Sequence, residues 1–330
     1  MHLVSSHYVM RASVGSTLAT VTHRCEVAYR SDSDPNPADF DDKTWLDSFY
    51  SIDGKSIVAL GHMEYHGWDH PGECSVRYYT AACWYNADTF HYSTDGGYHF
   101  DSVAAPGNFV AGLPFQYEVD QGPEGYSIDT NIVKVGDWYY AMATDWPWPP
   151  NCGQPGNPPC KVNFGGAPLR TDNISDPSSW RAWNGKQFAA SFVDPYPGPV
   201  RYPEEHVYTP VPYMYYVNAI NFSPSANLFV ATLFDPFNDA YGPPGLYFST
   251  SSDLVQWTKP TLAVTVDQLL VNEPPGNWTY GYFSLLDPNT SDPNFSTITD
   301  SPYLYYVRSD ANDCCYVRVL FRQQIQLIWK

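Results

Sequence analysis

Glu64-Tyr65-His66-Gly67-Trp68 brings a carboxylate, a phenol, an imidazole and an indole together in one short run. A Glu in such company can act as a general acid, with His66 setting its charge or holding a sugar hydroxyl. Tyr65 and His66 can instead abstract and return protons, which is elimination chemistry. Further carboxylates fall on stretches that read as inner strands: Asp47, Asp129 (followed by Asn131) and Asp287. Two carboxylates whose surroundings separate their pKa values can divide the work of acid and base. Asp47 and Glu64 fall on neighbouring strands, so the sequence predicts that they approach each other. His7 and Arg11 form a Ser-His-x-x-x-Arg stretch, and Arg170 is a further cation for substrate contact. Trp68 and Trp146 are the expected stacking surfaces. Trp146 opens a Trp-Pro-Trp-Pro-Pro run that proline stiffens.

Asp53 and Asp95 carry a different expectation. Each precedes Gly in a turn, so each is read as a turn residue. Phosphate-cradling glycine loops, a GxSxG elbow, an HExxH pair and an EF-hand loop do not occur in the sequence. No metal ligand set is assigned and no cofactor is required. Ca²⁺ is the one ion that the many Asp and Asn would suit.

These residues need a scaffold, and a repeated phrase describes it. An apolar or aromatic strand leads into a polar turn containing Thr, then into an aromatic strand. The copies start at His91, Leu169 and Tyr247 and are nearly evenly spaced. Widely spaced β-rich repeats predict a propeller. The predicted blades run over 45–100, 126–188, 216–263 and from 282 to the C-terminal strand. Two or three strands within 3–29 precede them. The expectation is an all-β, five-bladed β-propeller over 1–330 as a single domain, with a first blade lacking its N-terminal inner strand. Turns between first and second strands are short, whereas long loops fall between second and third strands or between blades. Alternating strand directions send those long loops to one face, where rigid scaffolds carry sites.

Composition narrows the partners. The chain has 330 residues and a formal net charge of −18 from 17 basic and 35 acidic residues. Nucleic acid and anionic membrane surfaces are excluded as partners, because phosphate binding needs clustered Lys and Arg. No apolar run is long enough for a membrane helix. A carbohydrate partner and a monomeric state are expected. The close pairs Cys74/Cys83 and Cys152/Cys160 suit loop-stapling disulfides of an exported protein, which predicts an extracellular or periplasmic location. Cys25, Cys314 and Cys315 are left unassigned.

With Ile128-Asp129 opening a strand before Asp137-Trp138-Tyr139-Tyr140, and Asp287 leading to Tyr303-Leu304-Tyr305-Tyr306, the chain resembles the five-bladed propeller glycosidases, the arabinanase and xylosidase group. The resemblance implies a glycoside hydrolase acting on a poly- or oligosaccharide through axis carboxylates. In that group a base, a pKa-tuning Asp and an acidic Glu come from the inner strands of the first three blades. Asp47 matches the second position by blade location, the third blade offers Asp129 and Asn131 in place of Glu, and the base has no match. The alternatives are a polysaccharide lyase using Tyr65 and His66, and a non-catalytic sugar-binding propeller. Ser93-x-Asp95-x-Gly97-x-x-Phe100 also resembles the Asp-box of sialidases and other propellers, a structural turn remote from their sites.

Overall fold

A computed structural model describes residues 2–5, 8–128, 130–146, 165–236, 240–270, 278–310 and 313–329. Side chains are described for these except 2–5, 128, 145–146, 270 and 313–317. His7 and Asp129 lie outside the described residues, as do Cys152 and Cys160. Trp146 is placed by its backbone alone.

The chain divides into two compact units, 1–210 and 211–330. The first begins with β1 (His2–Ser5), β2 (Val9–Val14) and β3 (Thr22–Arg30), an antiparallel three-stranded sheet. An eleven-stranded sheet comes next. Its first meander is β4 (Lys43–Ser51), β5 (Ile57–His66) and β6 (Trp84–Ser93), with β7 (Asp101–Ser102) and β8 (Phe109–Ala111) pairing on β6. Its second contains β9 (Glu124–Ile128), β10 (Val133–Val135), β11 (Trp138–Trp146), β12 (Ala167–Thr171), β13 (Arg181–Trp183) and β14 (Phe188–Ser191). The second unit holds a four-stranded meander of β15 (Val217–Ser223), β16 (Leu228–Asp235), β17 (Gly245–Ser251) and β18 (Thr261–Thr265). The short helix α1 (Val266–Leu270) leads on to the three-stranded meander of β19 (Trp278–Leu286), β20 (Tyr303–Asp310) and β21 (Asp313–Gln324). The all-β expectation holds, and the strands follow the predicted repeat spacing.

The two meanders of the large sheet are joined by one parallel contact, Tyr85 opposite Glu124 and Asn86 opposite Gly125. Gly125 makes that approach achievable. Its φ is +119°, and a Cβ there would lie 2.1 Å from the Asn86 carbonyl oxygen.

The repeated phrase is a turn that drops an aromatic ring into the interior. Ser93 Oγ donates to Asp95 and accepts from Gly97 N–H, while Asp95 accepts from Tyr98 and His99 N–H, and Phe100 is buried. Ser251 and Asp253 repeat these bonds ahead of buried Trp257. In the remaining copy Asp176 accepts from Ser178 N–H, and Trp180 is buried. Burying such a ring contributes roughly 1.5–3 kcal/mol. Asp53 likewise accepts from Lys55 and Ser56 N–H around Gly54, whose φ is +81°. Asp53 and Asp95 are therefore turn residues, as expected.

Alternation along β5 gives the strand two faces of opposite character. From Gly61 to His66 burial switches with every residue: Gly61, Met63 and Tyr65 are buried, while His62, Glu64 and His66 are half-buried. Met63 and Tyr65 join a core with Phe40, Leu60, Tyr85 and Trp180. The other face of the same strand is therefore free to hold polar groups.

Candidate functional site

Glu64 sits between two histidines on that polar face. Its Oε2 is 2.8 Å from His66 Nε2, and its Oε1 is 3.6 Å from His62 Nε2. All three side chains keep about one sixth of their surface open, at 15–17 %. Register carries the cluster onto both neighbouring strands. Lys43 and Trp45 of β4 stand opposite Glu64 and His62, and Asn86 and Asp88 of β6 stand opposite the same pair. The Trp45 ring lies 6.3 Å from that of His62 and 6.1 Å from that of His66. The parallel contact with β9 adds Ser127, whose Oγ is 3.3 Å from His62 Nδ1.

The far end of β5 is fixed by a buried carboxylate. Asp42 accepts from His66 N–H at 2.8 Å, pairs with Lys43 at 3.0 Å and lies 2.9 Å from His70 Nε2. His70 stacks on the Tyr65 ring at 5.2 Å. His66 stacks on Trp68, with centroids 4.3 Å apart, where the chain turns through the 3₁₀ segment Gly67–Asp69. A carboxylic acid held between two imidazoles, partly wet and walled by indoles, can protonate a leaving group and orient hydroxyls. Asn86 adds a polar amide that is wholly buried and has no hydrogen-bond partner on either Oδ1 or Nδ2. Such a group normally finds a partner in a folded protein.

Several predicted site residues stand elsewhere. Asp47 and Glu64 do not approach. Asp47 is exposed at a bulge in β4, between Leu46 opposite Gly61 and Ser48 opposite Leu60. Three residues of strand separate that level from Glu64, about 10 Å. Tyr65 is correctly on β5 but on its opposite face, fully buried, with its hydroxyl donating to the Pro35 carbonyl at 2.8 Å. The Tyr65/His66 pair needed for elimination is thus split by the pleat. Burial, reinforced by Glu73, also pushes the Tyr65 phenol far above its usual range. Arg11 donates to the Cys25 carbonyl within its own sheet. The Arg170 guanidinium lies over the Trp138 and Phe188 rings, at 4.0 and 4.5 Å. Asp287, in the second unit, accepts from Asn289 N–H, Thr299 N–H and the Thr299 hydroxyl of its own loop. Asn131 is half-buried just beyond β9.

Sequence reasoning missed His62, Asn86, Asp88 and Ser127. His62 had a readable signal, since His62, Glu64 and His66 follow a period of two. The others come from β6 and β9, and only pairing register brings them here. Cys74 and Cys83 form the expected disulfide. Among the described residues these two sulfurs and Asp120 are the one cluster with metal-ligand reach, and the bond between the sulfurs accounts for it. The surface clefts lined by Arg24, Glu26 and Tyr98, and by Asn184, Glu204 and His206, do not contain the Glu64 cluster.

No protein-family model matches the chain, and no curated protein matches it in sequence. Solved structures do. The chain is similar to the α-L-arabinanase of Cellvibrio cellulosa at 10% identity and a TM-score of 0.50, covering 100% of this chain and 88% of that one. A xylan β-1,4-xylosidase from Bacillus halodurans aligns at 9% identity and a TM-score of 0.46, over 96% of this chain and 48% of that one. A putative glycosidase from Bacteroides thetaiotaomicron aligns at 14% identity and a TM-score of 0.42, over 86% and 72%. At such identities the likeness to the arabinanase is one of fold, that of a propeller enzyme.

Proposed function

We propose that this chain is a secreted, monomeric glycoside hydrolase whose strands close as a single five-bladed propeller over 1–330. The observation that carries the proposal is the Glu64 carboxyl held between His62 and His66, on a partly open face walled by Trp45 and Trp68. Glu64 is the proton donor to the leaving sugar. The two imidazoles orient it and stabilise the negative charge that it acquires on giving up its proton. The carboxylates proposed to activate water are Asp47, about 10 Å along the sheet, and Asp129.

The experiment is a screen of plant and algal oligosaccharides for new reducing ends, run on the wild type and Glu64→Gln. Turnover should fall by about 10²–10⁴-fold in the variant, the usual contribution of a general acid. Full activity in Glu64→Gln would remove Glu64 from the mechanism. An unsaturated product absorbing in the ultraviolet would replace hydrolysis with elimination. Binding without turnover in the wild type would make the chain a sugar-binding propeller.

A further inference from the structure

The loop beyond Trp68 is built unlike an ordinary surface connection. It is closed by the Cys74–Cys83 disulfide. Ser75 N–H donates to Asp120 at 3.2 Å, Arg77 donates to the Asp69 carbonyl at 3.1 Å, and the Tyr117 hydroxyl donates to the Glu73 carbonyl. So anchored, it holds two consecutive tyrosines outward, with Tyr78 69 % exposed and Tyr79 66 % exposed. Tyr79 is not adrift in solvent. Its ring meets Trp68 edge to face at 5.2 Å, and Trp68 in turn stacks on His66, the partner of Glu64. Exposed aromatic surface normally costs free energy, and a loop pinned at four points spends none of its ordering on burying these rings.

We propose that this disulfide-pinned loop is an aromatic subsite, in which Tyr79 stacks on a sugar ring of a bound oligosaccharide beyond the one at Glu64. The inference rests on the reading of Glu64 as part of a carbohydrate site. Tyr79 lies two ring contacts outward from His66, so it touches only ligands longer than the unit being processed. It binds substrate and takes no part in making or breaking bonds. Its contact is the same before and at the transition state, so its loss raises KM and leaves kcat unchanged. The disulfide matters because a stacking ring contributes affinity only when its place is set beforehand. Opening the bond therefore weakens the same contact, which makes affinity for long chains sensitive to reductant.

The test measures binding of size ladders of neutral plant and algal oligosaccharides by calorimetry in the Glu64→Gln background, where turnover does not interfere. Tyr79→Ala, and separately Cys74→Ser with Cys83→Ser, should weaken binding of the longest members several-fold, up to about tenfold. The shortest members should be unaffected, and Tyr79→Phe should bind like the parent. Unchanged unfolding midpoints in the Tyr79 variants establish that the fold is intact. Affinity for the longest members equal to the parent's in both Tyr79→Ala and the cysteine variant overturns the proposal, as does a parent protein that binds no member. Retained turnover in Glu64→Gln brings down the catalytic reading alone, because the binding comparison still decides the role of Tyr79.

Discussion

A strand offers each residue one of two faces, and at Glu64, Tyr65 and His66 that choice separates chemistry from structure. Glu64 and His66 share the half-buried face with His62, whereas Tyr65 points into the core, stacked on His70 and bonded to Pro35. The same pleat that brings two imidazoles to one carboxyl denies them the neighbouring phenol. This makes Tyr65→Phe a discriminating substitution. It removes one buried hydroxyl whose bond is worth about 1 kcal/mol, and it leaves the ring packing in place. Turnover should stay within about twofold of wild type while the unfolding midpoint drops by a few degrees. A loss of activity comparable to that of Glu64→Gln would restore the phenol to the reaction and favour elimination. The acid at Glu64 was legible from sequence because five consecutive residues concentrate it with His66 and Trp68. Its true partner His62 was legible in principle, through the period of two.

Pairing between elements supplies what the strand lacks. The parallel joint of β6 with β9 places Ser127 against His62, and it exists only because the backbone at Gly125 passes within reach of Asn86. A methyl group at position 125 meets the Asn86 carbonyl oxygen at 2.1 Å, on a backbone at φ +119° that L side chains rarely adopt. Gly125→Ala should therefore cost about 2–3 kcal/mol or more, from strain and forced separation together. Urea unfolding measures it, and a variant as stable as the parent would show that the joint is dispensable. Glycines at open turns give the contrast: an added methyl group at Gly54 or Gly136 meets no atom within 4 Å, so only their positive φ resists substitution. The strand repeats and the serine–aspartate turns were readable because each is a local pattern with a local cause. The Asn86, Asp88 and Ser127 contributions were not, because a one-residue slip in register would have turned each of them to the opposite face. Asp47 shows the same limit, since the bulge that holds it away from Glu64 leaves no mark in the sequence.

At the scale of the whole chain the excess of acid, a net charge of −18, acts together with a few buried groups to set where the fold is most stable. Burial, with Glu118 nearby, pushes the Glu124 carboxyl up to about 7. Burial, with Asp32 and other acids of its loop, pushes Asp41 up to about 6. Between their ordinary values and these raised ones the folded state holds protons that the unfolded chain has released, so stability falls as pH rises through that window. His91 works in the opposite direction: burial lowers it to about 3, so below its ordinary value of 6.5 the unfolded chain takes a proton that the fold refuses. Two carboxyls outweigh one imidazole above about pH 4.5. Below about pH 4 His91 and the depressed acids outweigh what remains of the Asp41 and Glu124 titrations, and acid then destabilises. At Asp287 burial opposes ionisation, but hydrogen bonds from Thr299 and Asn289 prevail and hold the carboxyl below its usual range. Maximum stability is therefore expected at about pH 4–5, reinforced by relief of like-charge repulsion as acids are protonated. Glu124→Gln separates the buried group from the bulk charge. It should leave stability near pH 4 almost unchanged and raise it above pH 7 by up to about 3 kcal/mol, the linkage value of the raised carboxyl. Unfolding curves collected from about pH 4 to 8 on both proteins decide the matter, and parallel curves would mean that Glu124 titrates like an ordinary surface acid.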